Sequence, residues 1–413
     1  MSKKIAERLP RELGEGVLPN HASVQSPWGK LVSYQDAVHY ASRYGCVVAA
    51  ALMQALRILV PDYEERATKM CQTAYDSNIA NRGPLGGHYR DILNMHPFCV
   101  GDFTGALVGD IYDEALLMCG RVNDFGTHRV EKELDVCDWD IIGSELCRAT
   151  VVGLQAIAES VAKYVKSGPK LEYCMVEAKG CGDRHCRVVA ENREKYPMPS
   201  HKIWESFGPV ATADQIKFTN EEDTISESHM FREECGFAFS NGTCTERDSS
   251  HAYYSVYNCG ASYILNALDA YLKEGKFTHE QANHTIKCVC EAAGKAFFGA
   301  FYAREGLRQW MGVPNSISND DARVMGGQIE MLLKCMRYHY DIEAFNEQEA
   351  IYILNRNELK CYTSKLDIAY LSFWHGATKT LLNAQWALWE EPKEDTPADK
   401  IRIKIAKKID KFA

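Results

Sequence analysis

Two stretches of this chain, Cys137 to Ser160 and Cys361 to Ala384, each open on a cysteine that closes a strand-like segment and starts a long helix. The approach reads Phe125-Gly-Thr-His-Arg-Val-Glu-Lys-Glu-Leu-Asp-Val-Cys137 in the first and runs from Phe345 through Ile351-Tyr-Ile-Leu354 to Cys361 in the second. A pattern that survives while residue identities drift is the mark of a repeated unit. The chain is therefore expected to hold one module twice, and 413 residues are enough for two or three cores.

Periodicity gives each module its class. Apolar residues at three-and-four spacing predict helices over Tyr34 to Val60 and Asp62 to Ile79, separated at Pro61. Alternation predicts a hairpin from Leu116 to Phe125 and His128 to Val136, and a second from Leu171 to Ala178 and His185 to Ala190. The long helix between them has Asp138 as its expected N-cap. Helices, hairpin, helix and hairpin make an α+β module on a small antiparallel sheet. The expected organisation is an arm over 1–33, a first module over 34–195, a connector over 196–256 and a second, diverged module over 257–413. In that second module helices are expected at Ser262 to Lys273, His279 to Phe301, Asp320 to Met336 and Ser364 to Trp389, with Lys400 to Lys408 replacing the closing hairpin.

Charge narrows the partners. A formal net charge of −9 without a long basic tract leaves no electrostatic footprint for nucleic acid, and the Lys-rich end Lys400 to Lys411 is short and amphipathic. The longest apolar stretch, Cys46 to Val60, is interrupted by Gln54 and Arg57 and is too short for a bilayer, so no membrane partner is expected. No apolar run follows the basic start, which predicts a cytoplasmic protein. In that reducing compartment the 16 cysteines are core thiols or ligands instead of disulfides. Cys46, Cys71, Cys119, Cys288 and Cys335 lie among apolar neighbours and are expected in the core.

The residues Cys137-Asp-Trp, Leu146-Cys147 and Ala178-Lys-Gly-Cys-Gly-Asp-Arg-His-Cys186-Arg-Val-Val resemble the L-2-amino-thiazoline-4-carboxylate hydrolase-like family. A more distant likeness is to vinyl-reductase-type ligand-binding domains. The likeness covers about two-fifths of the chain in its first copy and only the Cys361 helix in its second. It implies a small-molecule site and hydrolysis of a C–N bond in a small cyclic or amide-like nitrogen compound; the distant likeness implies instead a non-catalytic binding or sensor protein. The distant likeness to vinyl-reductase-type domains also implies a structural metal, zinc, held by a Cys, a Glu and two further Cys, an order that Cys147, Glu172, Cys174 and Cys186 copy, although Cys181 is an extra thiol and the turn is longer.

The residues themselves allow that chemistry without requiring it. Across the second hairpin Cys174 and Cys186 are expected to face each other, with Cys147 approaching from the helix and Cys181 and His185 close by. Thiolates with a carboxylate suit zinc; the alternative is a set of reduced thiols packed under a sheet. Hydrolysis needs a proton carrier, for which His375 is the first candidate, with Trp374 and Trp386 as pocket walls on the same long helix. Asp138, backed by Asp140 and Glu145, is a second candidate base. Cys244, Glu246, Asp248 and His251 form a third set, in which His251 would activate a cysteine and Glu246 would touch substrate. No phosphate-binding loop or dinucleotide fingerprint occurs, so no nucleotide cofactor is expected. The expected partner is a small molecule, and self-association as a homo-oligomer stays open.

Overall fold

The computed structural model describes residues 24–32, 34–80, 120–125, 129–134, 137–162, 171–192, 246–299, 301–336, 338–360 and 365–408. The chain begins with strands β1 (Val24–Gln25) and β2 (Leu31–Val32), then helices α1 (Tyr34–Leu59) and α2 (Tyr63–Ala80). Strands β3 (Gly120–Phe125) and β4 (Arg129–Leu134), helix α3 (Ser144–Ala162), and strands β5 (Leu171–Glu177) and β6 (Cys186–Asn192) follow. Helices α4 (Glu246–Lys273), α5 (His279–Phe297), α6 (Phe301–Met311) and α7 (Ala322–Cys335) lead to strands β7 (Tyr340–Phe345) and β8 (Glu349–Asn355). Helices α8 (Arg356–Lys360) and α9 (Leu366–Leu381) and strands β9 (Trp386–Glu390) and β10 (Lys400–Lys407) complete the order. The class is α+β, and no described helix is long and apolar enough to cross a membrane.

Contacts divide the chain into two compact units, residues 1–21 with 62–256 and residues 22–61 with 257–413. In the first unit Asp62 caps α2 by accepting from the Glu65 amide at 2.7 Å. Two arginines then fix how α2 lies on α3. Arg66 donates to Glu145 at 2.9 Å, with both side chains buried, and Arg148 donates to Glu64 at 3.1 Å. A buried charge is tolerated only when paired, so these contacts set one register of helix on helix. Val151 of α3 packs on Met175 of the sheet and on Ala178 just beyond β5; the antiparallel order of the sheet is β3-β4-β6-β5.

The second unit is built on a close helix crossing. Helices α5 and α9 meet at glycines: a Cβ on Gly294 would overlap the Phe373 carbonyl, and one on Gly376 would overlap the Glu291 carbonyl. Thr278 and Gln281 close a capping box at the start of α5, fixing where its faces point. Its buried positions, Ala282, Ile286 and Cys290, repeat every fourth residue. Tyr44 of α1 packs edge-on against Phe297 and Phe373 at 5.8 and 5.1 Å between ring centroids. The sheet order is β7-β8-β10-β9, and Ile401, Ile403 and Ile405 turn one face of β10 into the core.

Both four-stranded sheets thus share one strand order, and each opens with a hairpin that shifts register at its middle, between Val122 and Asp124 in one and between Ile342 and Ala344 in the other. Several expectations need correction. Asp138 does not cap the long helix; it starts a 3-10 turn over Asp138–Ile141, and Gly143 at φ 119° resets the chain so that α3 begins at Ser144. The helix expected to run to Trp389 stops at Leu381, where Asn383 accepts from the Gln385 amide and Trp386 opens β9. The helix expected over His279 to Phe301 is two, α5 and α6. The last residues of the expected connector are already helical in α4. Cys288 is exposed, because the buried stripe of α5 runs through positions 282, 286 and 290. Cys119 and Cys361 lie outside the described residues.

Overpacking a glycine crossing costs about 1–3 kcal/mol. Gly376→Ala should therefore lower the urea-unfolding free energy by at least that much. Gly306→Ala, on a helix with nothing within 4 Å of its Cβ direction, should leave it unchanged or slightly raised.

Candidate functional site

Where α5 and α9 run side by side, beneath β9, a groove of about 370 Å³ opens, lined by Lys287, Glu291, Ser372, His375, Trp389 and Glu390 among others. The glycine crossing builds it. With Gly376 packed on the Glu291 backbone, the next faces of the helices bring the His375 Nε2 to 3.9 Å from the Glu291 carboxylate.

His375 is held by the strand. Its Nδ1 lies 2.9 Å from the Leu388 carbonyl and 3.4 Å from the Leu388 amide. The shorter contact decides the tautomer: Nδ1 carries the proton and donates to the carbonyl, leaving a lone pair on Nε2. Burial pushes the imidazole below its ordinary value of 6.5, with the Lys379 and Lys295 charges adding to it against the raising contact with Leu388. A neutral ring with a free Nε2 is the protonation state a general base needs.

Glu291 stands opposite as a fixed negative charge. Burial alone would raise it, but hydrogen bonds from Lys295 and Lys379, the latter at 3.1 Å, outweigh burial and hold the carboxyl below its ordinary range. The three groups form a line of charge along the helix seam, and Lys287 adds an exposed ammonium one turn before Glu291 on α5. Leu371, Ile368, Leu388 and Trp389 give the groove apolar surface. Glu390 is paired with Arg356.

The other residues expected at a site are dispersed. Trp374 is fully buried. Trp386 is also buried and donates from Nε1 to Asp320 at 2.7 Å; it sits on a strand, so it does not share a helix face with His375. Asp138, Glu246 and His251 lie on described backbone, but their side chains, with Cys244 and Glu172, fall outside the described residues.

In the first unit Cys137 joins the thiols of the second hairpin, a neighbour the sequence did not indicate. Cys137 precedes the 3-10 turn Asp138–Ile141, Cys147 is on α3, Cys181 ends the 3-10 turn Lys179–Cys181, and Cys186 opens β6. Gly182 at φ 91° and the Asp183 carboxylate, which accepts from the Ala178 amide at 3.0 Å, shape the turn. The thiols act on one another, Cys137 chiefly with Cys186 and also with Cys147, and Cys147 chiefly with Cys181 and also with Cys186; together with burial this pushes Cys137 and Cys147 up. Cys186, accepting from Cys137 and from the Lys179 amide at 3.3 Å, is held lower. Cys174 is fully buried on β5 opposite Val189. Among the described residues no group of three or more His, Cys, Asp or Glu side chains is found that could hold a metal ion.

No protein-family model matches the chain, and no curated protein or solved structure matches it either. The geometry of His375 carries its own test. Nitrogen chemical shifts at neutral pH should report a neutral His375 with Nδ1 protonated, and its titration midpoint should fall below 6.5.

Proposed function

We propose that the protein is a hydrolase acting on a C–N bond of a small cyclic or amide-like nitrogen compound, with His375 as its proton carrier. The observation that carries the reading is the seat of His375, whose Nδ1 lies 2.9 Å from the Leu388 carbonyl and whose Nε2 faces the ionised Glu291 carboxylate across the groove at 3.9 Å. The resemblance of Cys137 to Val189 to the aminothiazoline-carboxylate hydrolases supports the same chemistry. In this account a flat ring lies against Trp389 and Leu388. His375 Nε2 takes a proton from water as the water attacks the ring carbon. Glu291, held in place by Lys295 and Lys379, steadies the imidazolium that forms, and Lys287 offsets the negative charge developing on the attacked group. The imidazolium then returns its proton to the departing nitrogen.

The shared strand order and shared register shift of the two sheets support a further part of the proposal, that the units are diverged copies of one module. Registers align at a constant offset, with Phe125 opposite Val130 as Phe345 is opposite Ala350. A non-catalytic binding protein of the vinyl-reductase type is the second reading, favoured by the apolar walls of the groove.

Purified protein should open a member of a panel of cyclic amidines, lactams and thiazolines. His375→Ala should keep its fold and lose about two to four powers of ten in kcat. Because burial depresses the His375 pKa, kcat/KM should climb with pH through an acidic limb below 6.5 and level off above it. Tight binding of a panel compound without turnover would replace the hydrolase with the binding protein, and a fully active His375→Ala would move the base elsewhere.

A further inference from the structure

Trp374, expected as a pocket wall, stands instead in the core of the second unit with a polar atom unused. Helices α1, α7 and α9 contact one another there, and each brings one buried group: Tyr44, Gln328 and Trp374, none more than 1% exposed. Tyr44 Oη, Gln328 Oε1 and Trp374 Nε1 are enclosed and have no hydrogen-bond partner among the described residues. Measured contacts gather them. Gln328 Nε2 donates to Tyr40 Oη at 2.7 Å, and the Tyr40 ring centroid lies 5.8 Å from that of Tyr44, one turn further along α1. Tyr44 stacks on Tyr370 at 6.5 Å with the rings 8° from parallel, and Tyr370 lies 5.6 Å from Trp374. Phe297 and Phe373, packed edge-on against Tyr44, supply no polar partner. A buried donor or acceptor left unmet is costly, and three in one place are more than a native core keeps.

We infer that one internal water molecule is held between Tyr44, Gln328 and Trp374. The hydrogen bonds balance. Trp374 Nε1–H and Tyr44 Oη–H donate to the two lone pairs of the water, and the water donates to Gln328 Oε1. Three bonds are the usual number for a buried water. Burial pushes the Tyr44 hydroxyl well above its ordinary value, while Gln328 and Trp374 both draw it back, so both stand near it. Neither bonds it directly, which is the geometry a bridging molecule needs. A cation would meet the Trp374 N–H and an anion the Gln328 oxygen, whereas water both donates and accepts. The bridge gives α9 a second hold besides the glycine crossing, at the residue before His375.

The test is a crystal structure of the full-length protein at a resolution that shows ordered water, joined to urea unfolding of Tyr44→Phe. Density should show an oxygen within about 3.2 Å of Tyr44 Oη, Gln328 Oε1 and Trp374 Nε1. Tyr44→Phe deletes only the hydroxyl, and should raise the unfolding equilibrium constant about three- to tenfold, the loss expected for a hydrogen bond that is made. An unmet hydroxyl gives the opposite sign, because deleting it relieves a buried polar group. Three results overturn the inference: the three atoms bonded directly to one another, no density between them, or a Tyr44→Phe protein at least as stable as the unaltered one. The crystal structure of the unaltered protein decides the matter even where the variant fails to fold.

Discussion

The second unit depends on the contact between α5 and α9, where Gly294 and Gly376 let two helix backbones touch. That approach is closer than side chains allow, and it fixes both the rotation and the height of one helix on the other. Everything in the groove follows from it. Glu291 is on the segment whose carbonyl meets Gly376, and His375 is its neighbour in sequence, so the carboxylate and the imidazole are set by the same contact. The strand β9 then closes the arrangement by giving His375 a carbonyl to bind.

The first unit solves the same packing problem with charge. Arg66 and Glu145 are buried as a pair between α2 and α3, where the second unit uses glycines between α5 and α9. A salt bridge of this kind adds little net stability over an apolar contact but makes any other register costly. Under the proposal that the units are diverged copies, two solutions to one packing problem are what separate optimisation of each copy would leave. The sheets, whose backbone ladders depend less on side-chain identity, keep the same order in both.

Much of this was legible in the sequence, and the reasons for the rest are local. Alternating residues gave β5 and β6 within a residue or two because each alternates under a turn built by Gly182. His375 could be singled out as a proton carrier, since it follows Trp374 on an apolar helix. Its partners could not. Glu291 lies 84 residues earlier and looks like one half of an ordinary surface pair with Lys295. Leu388 contributes only its carbonyl, which no side-chain pattern reveals. The overrun of α9 into Trp386 has the same character: the apolar run continues through Leu382, and the stop comes from Asn383 folding back on Gln385. Among the thiols, spacing pointed to Cys174, which pairs with Val189 across the hairpin, and passed over Cys137, which acts on Cys186 and Cys147.

The helix crossing sets the state of His375, so the most direct measurement is the NMR titration of His375 in Gly376→Ala compared with the unaltered protein. Forcing the helices apart should wet the groove and separate the imidazole from Leu388, returning its midpoint toward the ordinary 6.5. A midpoint that stays depressed by the same amount, in a variant whose unfolding confirms that the crossing has been disturbed, would contradict the claim that this contact builds the site.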